Sequence, residues 1–224
     1  MTGADSQITK WLYRDENEEA LVEIEAAKSG GARVIELEAP VSEADVRALK
    51  VGDVVMINGL MHTGRDALHG YLLHNPCPIA MQDQVLYHCG PVMIRDDHGQ
   101  WRVMAAGPTT SIREEPYEAG LMAKLGFRVI IGKGGMGAKT LAGLKEHGGV
   151  YLNAIGGAAQ FYGRCVEKVE GVDLLDELGV PEAMWHLRVK GFAAVVTMDS
   201  HGQSLHQEVQ DKTFVELKDI GSRI

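Results

Sequence analysis

Cysteine is scarce in this chain: Cys77, Cys89 and Cys165 are the only three in 224 residues, and no two are spaced as C-x-x-C. That spacing is the usual local clamp for zinc or an iron–sulfur cluster, so no self-contained cluster site is expected. An odd, widely spaced set also excludes a disulfide framework. His69, His74 and His88 lie near the first two cysteines and admit a composite metal site, but buried thiols and surface imidazoles are the simpler reading. Long apolar runs are missing as well. With no stretch of about 18 apolar residues, no membrane span is expected, and the polar start Met1–Ser6 lacks the apolar core of a signal peptide, which points to the cytoplasm. Basic charge is in deficit, with 22 Lys and Arg against 31 Asp and Glu for a formal net charge of -9. Phosphate backbones demand a basic surface, so nucleic acid is set aside as a partner. Internal repeats and low-complexity tracts are absent.

What remains is a chain 45% hydrophobic, long enough to bury a full core as one large domain. Acidic residues interleave with Trp11, Leu12, Leu21 and Ile24 at partly helical spacing from Thr9 to Lys28, and Ser29-Gly30-Gly31 breaks that pattern. Short apolar runs predict strands at Ala32–Leu37, Val54–Ile57, Val85–Tyr87, Val92–Ile94, Trp101–Ala105, Arg128–Ile131, Val150–Ile155, Val166–Val169, Trp185–Val189 and Ala193–Met198. Ser42 with Asp45 marks a helix start, and further helices are expected over Thr63–Leu73, Glu114–Leu125, Ala138–His147 and Gly156–Arg164. The alternation predicts an α/β domain of mixed sheet. The segment after Gln203 is polar and carries no predicted element.

Two glycine-rich stretches carry the chemistry: Gly107-Pro108-Thr109-Thr110-Ser111-Ile112-Arg113 and Ile131-Gly132-Lys133-Gly134-Gly135-Met136-Gly137. Glycine lets backbone approach a ligand, and free N–H groups with Arg and Lys suit an anion. Arg grips a carboxylate with two hydrogen bonds and Lys adds a movable charge, so a small carboxylate is the expected ligand. Plainer roles stand beside this one. Arg65 and Asp66 make a helix-start pair, Thr109 and Thr110 cap the helix at Glu114, and Arg113 pairs with Glu114 or Glu115 at the surface. His69 then lies on a helix face or supports a ligand-touching neighbour, and Trp11, Trp101 and Trp185 pack.

The ordered series Thr63-Gly64-Arg65-Asp66-Ala67-Leu68-His69, Gly90-Pro91, Gly107–Arg113, Gly132-Lys133-Gly134, His147-Gly148-Gly149-Val150-Tyr151, Ile155-Gly156-Gly157-Ala158-Ala159, Pro181–Trp185 and Asp199-Ser200-His201-Gly202 closely resembles the β subunit of class I, iron–sulfur fumarate hydratases and the related L-tartrate dehydratase β subunit. The match runs over roughly residues 45–208. It implies a swivelling β/β/α domain, a mixed sheet flanked by helices, that closes over a dicarboxylate. It implies a hydro-lyase active only with an α subunit, in an α2β2 or similar hetero-oligomer, whose cysteines hold a 4Fe-4S cluster. It also implies that Arg65, Arg113 and Lys133 bind substrate carboxylates and that Thr109 takes part in proton transfer with an aspartate of the α part. Asp66, Thr110 and His69 support them, and no metal ligand is assigned to this chain.

On this resemblance the chain divides into an N-terminal extension at 1–40 that contacts the α chain, a swivelling domain at 41–208 and a polar C-terminal tail at 209–224. Gly134-Gly135-Met136-Gly137 is similar to the tartrate-type run, and Glu114-Glu115 stands where fumarases read Met-Asp. Gly149-Val150-Tyr151 and Ile155–Ala159 are closer to fumarase. Fumarate is the first expected substrate, L-tartrate the second and mesaconate the third. A carboxylate-binding or partner-binding module without turnover is the alternative of another class.

Overall fold

The computed structural model describes residues 33–221, with side chains to 217; the expected helix at Thr9–Lys28 and Trp11 lie outside this range. The order along the chain is β1 (Val34–Ala39), α1 (Glu43–Ala48), β2 (Val54–Gly64), α2 (Asp66–His74), β3 (Val85–His88), β4 (Val92–Arg95), β5 (Trp101–Ala105), a 3-10 turn (Ser111–Arg113), α3 (Glu118–Leu125), β6 (Val129–Gly132), α4 (Ala138–His147), β7 (Val150–Asn153), α5 (Ala159–Arg164), β8 (Val166–Asp173), α6 (Leu175–Leu178), β9 (Met184–Met198) and α7 (Leu205–Gly221).

Seven strands form one mixed sheet in the order β1-β2-β3-β6-β7-β9-β8, and β4-β5 is a separate hairpin. The first five pair in parallel, while β9 runs antiparallel to β2, β7 and β8. Because β2 also pairs with β9, strands β2, β3, β6, β7 and β9 close into a five-stranded ring. Closure requires long strands that serve different neighbours along their length. β2 pairs β1 over 34–39 and β3 from Met61 onward, with β9 on its other edge. β9 likewise meets β8 in its first half and β7 in its last residues.

Side chains alternate between two cores, as the period of a strand demands. Val85, Tyr87, Val129, Ile131, Val150 and Leu152 join one cluster with Trp185, Leu187, Phe192 and Val196. Leu86, Ile130 and Tyr151 point the other way, onto Leu68 and Leu72 of α2, Leu121 and Met122 of α3, and Leu144 of α4. Each fully buried aliphatic side chain contributes about 1.5–3 kcal/mol relative to exposure, and these three helices are thereby fixed against one face of the parallel strands. The predicted packing tryptophans meet edge to face, Trp101 against Trp185, with ring centroids 5.0 Å apart.

Several elements differ from expectation for local reasons. The two strands predicted around Lys190-Gly191 are one, because the ladder passes Gly191 at an irregularity where the Gly191 N–H donates to Asn58 Oδ1 at 2.8 Å. The helix expected from Thr63 starts at Asp66, since Thr63 and Gly64 still pair with β3. The helix expected from Glu114 starts at Glu118, after the 3-10 turn. The polar segment after Gln203 forms the long helix α7. Ser42 caps α1 as read, its Oγ accepting from Asp45 N–H at 3.2 Å.

One seam of the ring holds a histidine pair. His62 on β2 and His186 on β9 face each other, Nδ1 to Nδ1, at 2.7 Å, and His186 Nε2 lies 2.9 Å from Asp173. Burial, and then the neighbouring His186, push the His62 imidazolium down to about 4. A base depressed in the folded state is neutral there while the unfolded chain takes the proton first. Its contribution is therefore complete above its ordinary value near 6.5 and falls away as pH drops toward about 4. Urea unfolding followed between pH 7 and 4 is expected to show this loss, and His62→Gln is expected to flatten it; an unchanged slope in that variant rules His62 out as its source.

Candidate active site

Parallel strands end at a common edge, and loops there are the usual place for ligands in α/β sheets. β2 leads into Arg65, β3 into Cys89-Gly90 and β6 into Lys133. The β3–β6 pairing stops at Tyr87 and Ile131. Beyond it the Pro108–Ser111 segment inserts: Thr109 N–H donates to His88 O at 2.7 Å, Lys133 N–H to Thr109 O at 3.2 Å, and Ser111 N–H to Lys133 O at 3.0 Å. Isolated bridges join Cys89 to Pro108 and Thr110 to Lys133. Thr109, Thr110 and Lys133 are thus held on adjacent backbone, far apart though they are in sequence.

Two glycines permit this. A Cβ on Gly132 would collide with Ser111 Oγ and reach within 3.1 Å of His88 Nδ1, so only glycine lets the inserted segment lie down on β6. A Cβ on Gly90 would sit 2.6 Å from Pro181 O and 2.7 Å from Arg65 Nη1, in the space the guanidinium uses.

Each arginine is held by a carboxylate. Arg113 Nη2 donates to Asp66 Oδ2 at 2.9 Å, and Arg65 Nε lies 3.3 Å from Glu182 Oε1, whose other oxygen accepts from Ala67 N–H at 3.1 Å. Arg113 thus pairs with Asp66 and not with Glu114 or Glu115. Glu114 is buried, and burial raises its carboxyl above the usual range. Glu115 caps α4, accepting from Gly137 N–H at 2.7 Å and from the Thr140 hydroxyl at 2.6 Å. Thr110 precedes the 3-10 turn without a side-chain cap bond. Thr109 Oγ1 is buried and has no hydrogen-bond partner among the described residues. Lys133, half-buried beside Gly156, has no carboxylate partner among them either. The edge therefore presents two arginines at a surface with exchangeable partners, an unpaired ammonium and one unsatisfied hydroxyl.

Under this edge lies a group that the sequence reading missed. His88, read as a surface imidazole, is fully buried, as are His69 and Glu118. Both histidines place Nε2 at 3.2 Å from Glu118 Oε2, an ion-pair distance without full hydrogen-bond alignment. Ser111, Tyr151 and Glu182 were also missed; only the spacing of Glu118 with Leu121 and Met122, which puts the acid on an apolar helix face, gave a signal.

The cysteines do not fit an iron–sulfur cluster. Cys89 is buried, and burial pushes its thiol well above the usual range, where it stays protonated. Cys165 Sγ lies 3.7 Å from Gly191 O, and Cys77 packs beside the helix-side core. No cysteine among the described residues joins a cluster of ligand-type side chains.

A family model described as fumarase C-terminus matches residues 6–209. A protein of Geobacillus stearothermophilus provisionally named class I fumarate hydratase is 58% identical over 217 residues, covering 94% of this chain and 42% of that relative. The chain thus spans about two-fifths of that relative's length. A protein of Methanocaldococcus jannaschii provisionally named L(+)-tartrate dehydratase subunit beta is 37% identical, covering 80% of this chain and 94% of its own. The L(+)-tartrate dehydratase subunit beta of Escherichia coli K12 is 34% identical, covering 82% and 91%.

The steric role of Gly132 is directly testable. Gly132→Ala is expected to cost about 2 kcal/mol or more of stability, as overpacking does in a filled site, with the loss read by urea denaturation. A change under about 0.5 kcal/mol, typical of an uncrowded surface position, is the result that contradicts the close approach of Ser111.

Proposed function

The chain belongs to the fumarase C-terminal family, and on that premise we propose that it is the β part of an iron–sulfur hydro-lyase that reversibly adds water to fumarate to give (S)-malate. The observation that carries the proposal is the edge itself: Arg113 ends the inserted segment, Lys133 pairs with it through backbone, Arg65 lies beside Gly90, and Thr109 on that segment has an unsatisfied buried hydroxyl. A dicarboxylate brings two negative charges, and taking them from water requires well-placed cations. Its carboxylates compete with Asp66 and Glu182 for the two guanidiniums, while Lys133 needs no displacement. Cations so placed also stabilise the extra negative charge that builds on a carboxylate as the C–H proton leaves. Thr109 is assigned to that proton transfer. A threonine hydroxyl is a weak base alone, and its missing activator is assigned to an aspartate of the α part.

The α part is likewise assigned the cysteines of the 4Fe-4S cluster, in an α2β2 or similar hetero-oligomer, with residues 1–40 of this chain contacting it, 41–208 as the swivelling domain and 209–224 as a tail. No helix among the described residues is long and apolar enough to cross a membrane, and we place the assembly in the cytoplasm. Fumarate is favoured by the 58% identity to the relative named for it. L-tartrate is the second reading, supported by relatives named for tartrate at 37% and 34% identity and by the Gly134-Gly135-Met136-Gly137 run. Mesaconate stands third.

The test is anaerobic reconstitution with a candidate α chain and measurement of fumarate absorbance. No turnover is expected from this chain alone, and turnover is expected from the pair. Arg113→Ala is expected to lower kcat/KM about a hundredfold, as loss of a charged contact to the transition state does; a wild-type rate in that variant removes Arg113 from the site. Fumarate, L-tartrate and mesaconate compared side by side identify the substrate, since a missing hydroxyl contact discriminates strongly. Binding without turnover in every assembly would favour a non-catalytic carboxylate module instead.

A further inference from the structure

The three backbone segments that carry the cations are connected underneath by one line of buried polar groups. It starts at Lys133, whose carbonyl accepts from the Ser111 N–H at 3.0 Å. Tyr151 donates to Ser111 Oγ at 2.9 Å, and Ser111 Oγ lies 2.9 Å from His88 Nδ1. His88 Nε2 and His69 Nε2 both approach Glu118 Oε2 at 3.2 Å, and His69 Nδ1 lies 2.7 Å from Arg65 O.

The proton positions follow from the partners. His69 has acceptors at both nitrogens, a carbonyl and a carboxylate, so both carry hydrogen and the ring is an imidazolium. Ser111 already accepts from Tyr151 and can give its own proton to His88 Nδ1. That leaves His88 neutral, with its N–H on Nε2 and aimed at Glu118. The carboxylate is thus negative between one charged and one neutral imidazole, and the buried charges cancel. Removing one partner of such a pair leaves a buried charge uncompensated, which is strongly unfavourable. Burial alone lowers His69, but the Glu118 carboxylate more than offsets it and the net shift is upward. Burial alone raises Glu118, and the two imidazoles reverse that to a net depression. Glu114, Tyr117 and His206 are the other titratable groups facing the line.

We propose that His69, Glu118, His88, Ser111 and Tyr151 act together as a positioning device, an internally ionised line of ion pairs and hydrogen bonds that locks the segments bearing Arg65, Thr109 with Arg113, and Lys133 into one mutual arrangement. Every one of those segments is gripped by its backbone or by a residue beside the cation: Arg65 through its carbonyl, the inserted segment through Ser111, and Lys133 through its carbonyl, which takes the Ser111 N–H. That the arrangement is a substrate cradle rests on the function proposed above; the locking itself does not.

The experiment uses the full chain and needs no turnover. In protein carrying 15N-labelled histidine, the ring spectrum at pH 7 is expected to show both His69 nitrogens protonated and His88 protonated at Nε2 only. Glu118→Gln is expected to abolish the imidazolium signature. It is also expected to speed amide hydrogen exchange at 65–69, 109–113 and 133–137 together by roughly tenfold or more, leaving the 92–105 hairpin unchanged. Ser111→Ala, a milder change, is expected to keep the imidazolium and loosen 109–113. Two neutral histidines in the wild-type chain, faster exchange confined to 118–125, or a metal ion bound stoichiometrically at these side chains would each overturn the proposal. Because no substrate is involved, these results stand apart from the hydro-lyase reading, which fails or survives on turnover.

Discussion

The closure of β2 onto β9 is the constraint on which the rest of this molecule depends. An open sheet would leave β2 a single neighbour past Met61, and its end would be free to drift from those of β3 and β6. With β9 on its other edge, β2 is held on both sides as far as His62. The ends of three parallel strands are then fixed at one edge of a ring whose interior is filled by Tyr87, Tyr162 and Phe192, the latter two stacked with centroids 4.4 Å apart. A filled interior resists compression, so the spacing of those ends is a property of the core. Site geometry is inherited from packing that never touches a ligand.

The electrostatics of the edge follow a different logic from those beneath it. At the surface, Arg113 is more than half exposed, and its pair with Asp66 is screened by water and readily exchanged. In the interior, Glu118 has no water to fall back on, and its charge persists only because imidazoles replace the lost solvent. One fold therefore holds ion pairs of two kinds: weak ones that a dianion can displace, and a strong one that it cannot reach. The overall charge of -9 is no obstacle to anion binding, since acids such as Glu43 and Glu170 are already engaged with arginines or lysines.

What could be read from the sequence, and what could not, divides along the same line. Strands β3, β6 and β7 were legible because Val85–Tyr87, Val129–Ile131 and Val150–Leu152 are apolar on both faces, the mark of parallel strands covered on each side. The glycine-flanked Lys133 and the Thr109–Arg113 segment were legible because residues of those types on flexible backbone have few structural uses. His88 was misread because an imidazole beside a cysteine looks the same whether it faces water or a carboxylate thirty residues away. Its alternation with Leu86 was the only local hint. Glu182 could not be placed at all, since it reaches Arg65 only through the pairing of β9 with β2. The continuous β9 was hidden because a glycine that breaks most strands is here accommodated by a side-chain bond to Asn58.

Buried polar atoms without a partner call for a cause, and Thr109 Oγ1, on the segment inserted between the cation-bearing strand ends, is one of them. Its backbone is bonded at both N–H and C=O, to His88 of β3 and to Lys133 just past β6, so the segment that carries it is fixed in place. The neighbouring Ser111, by contrast, is satisfied twice over from below. The two hydroxyls of this short segment thus differ in use, that of Ser111 built into the buried polar line and that of Thr109 left without a partner. On the proposed function this asymmetry is the functional point: the chain spends its internal hydrogen bonds on holding the segment and leaves the Thr109 hydroxyl for groups that a substrate and a second polypeptide bring.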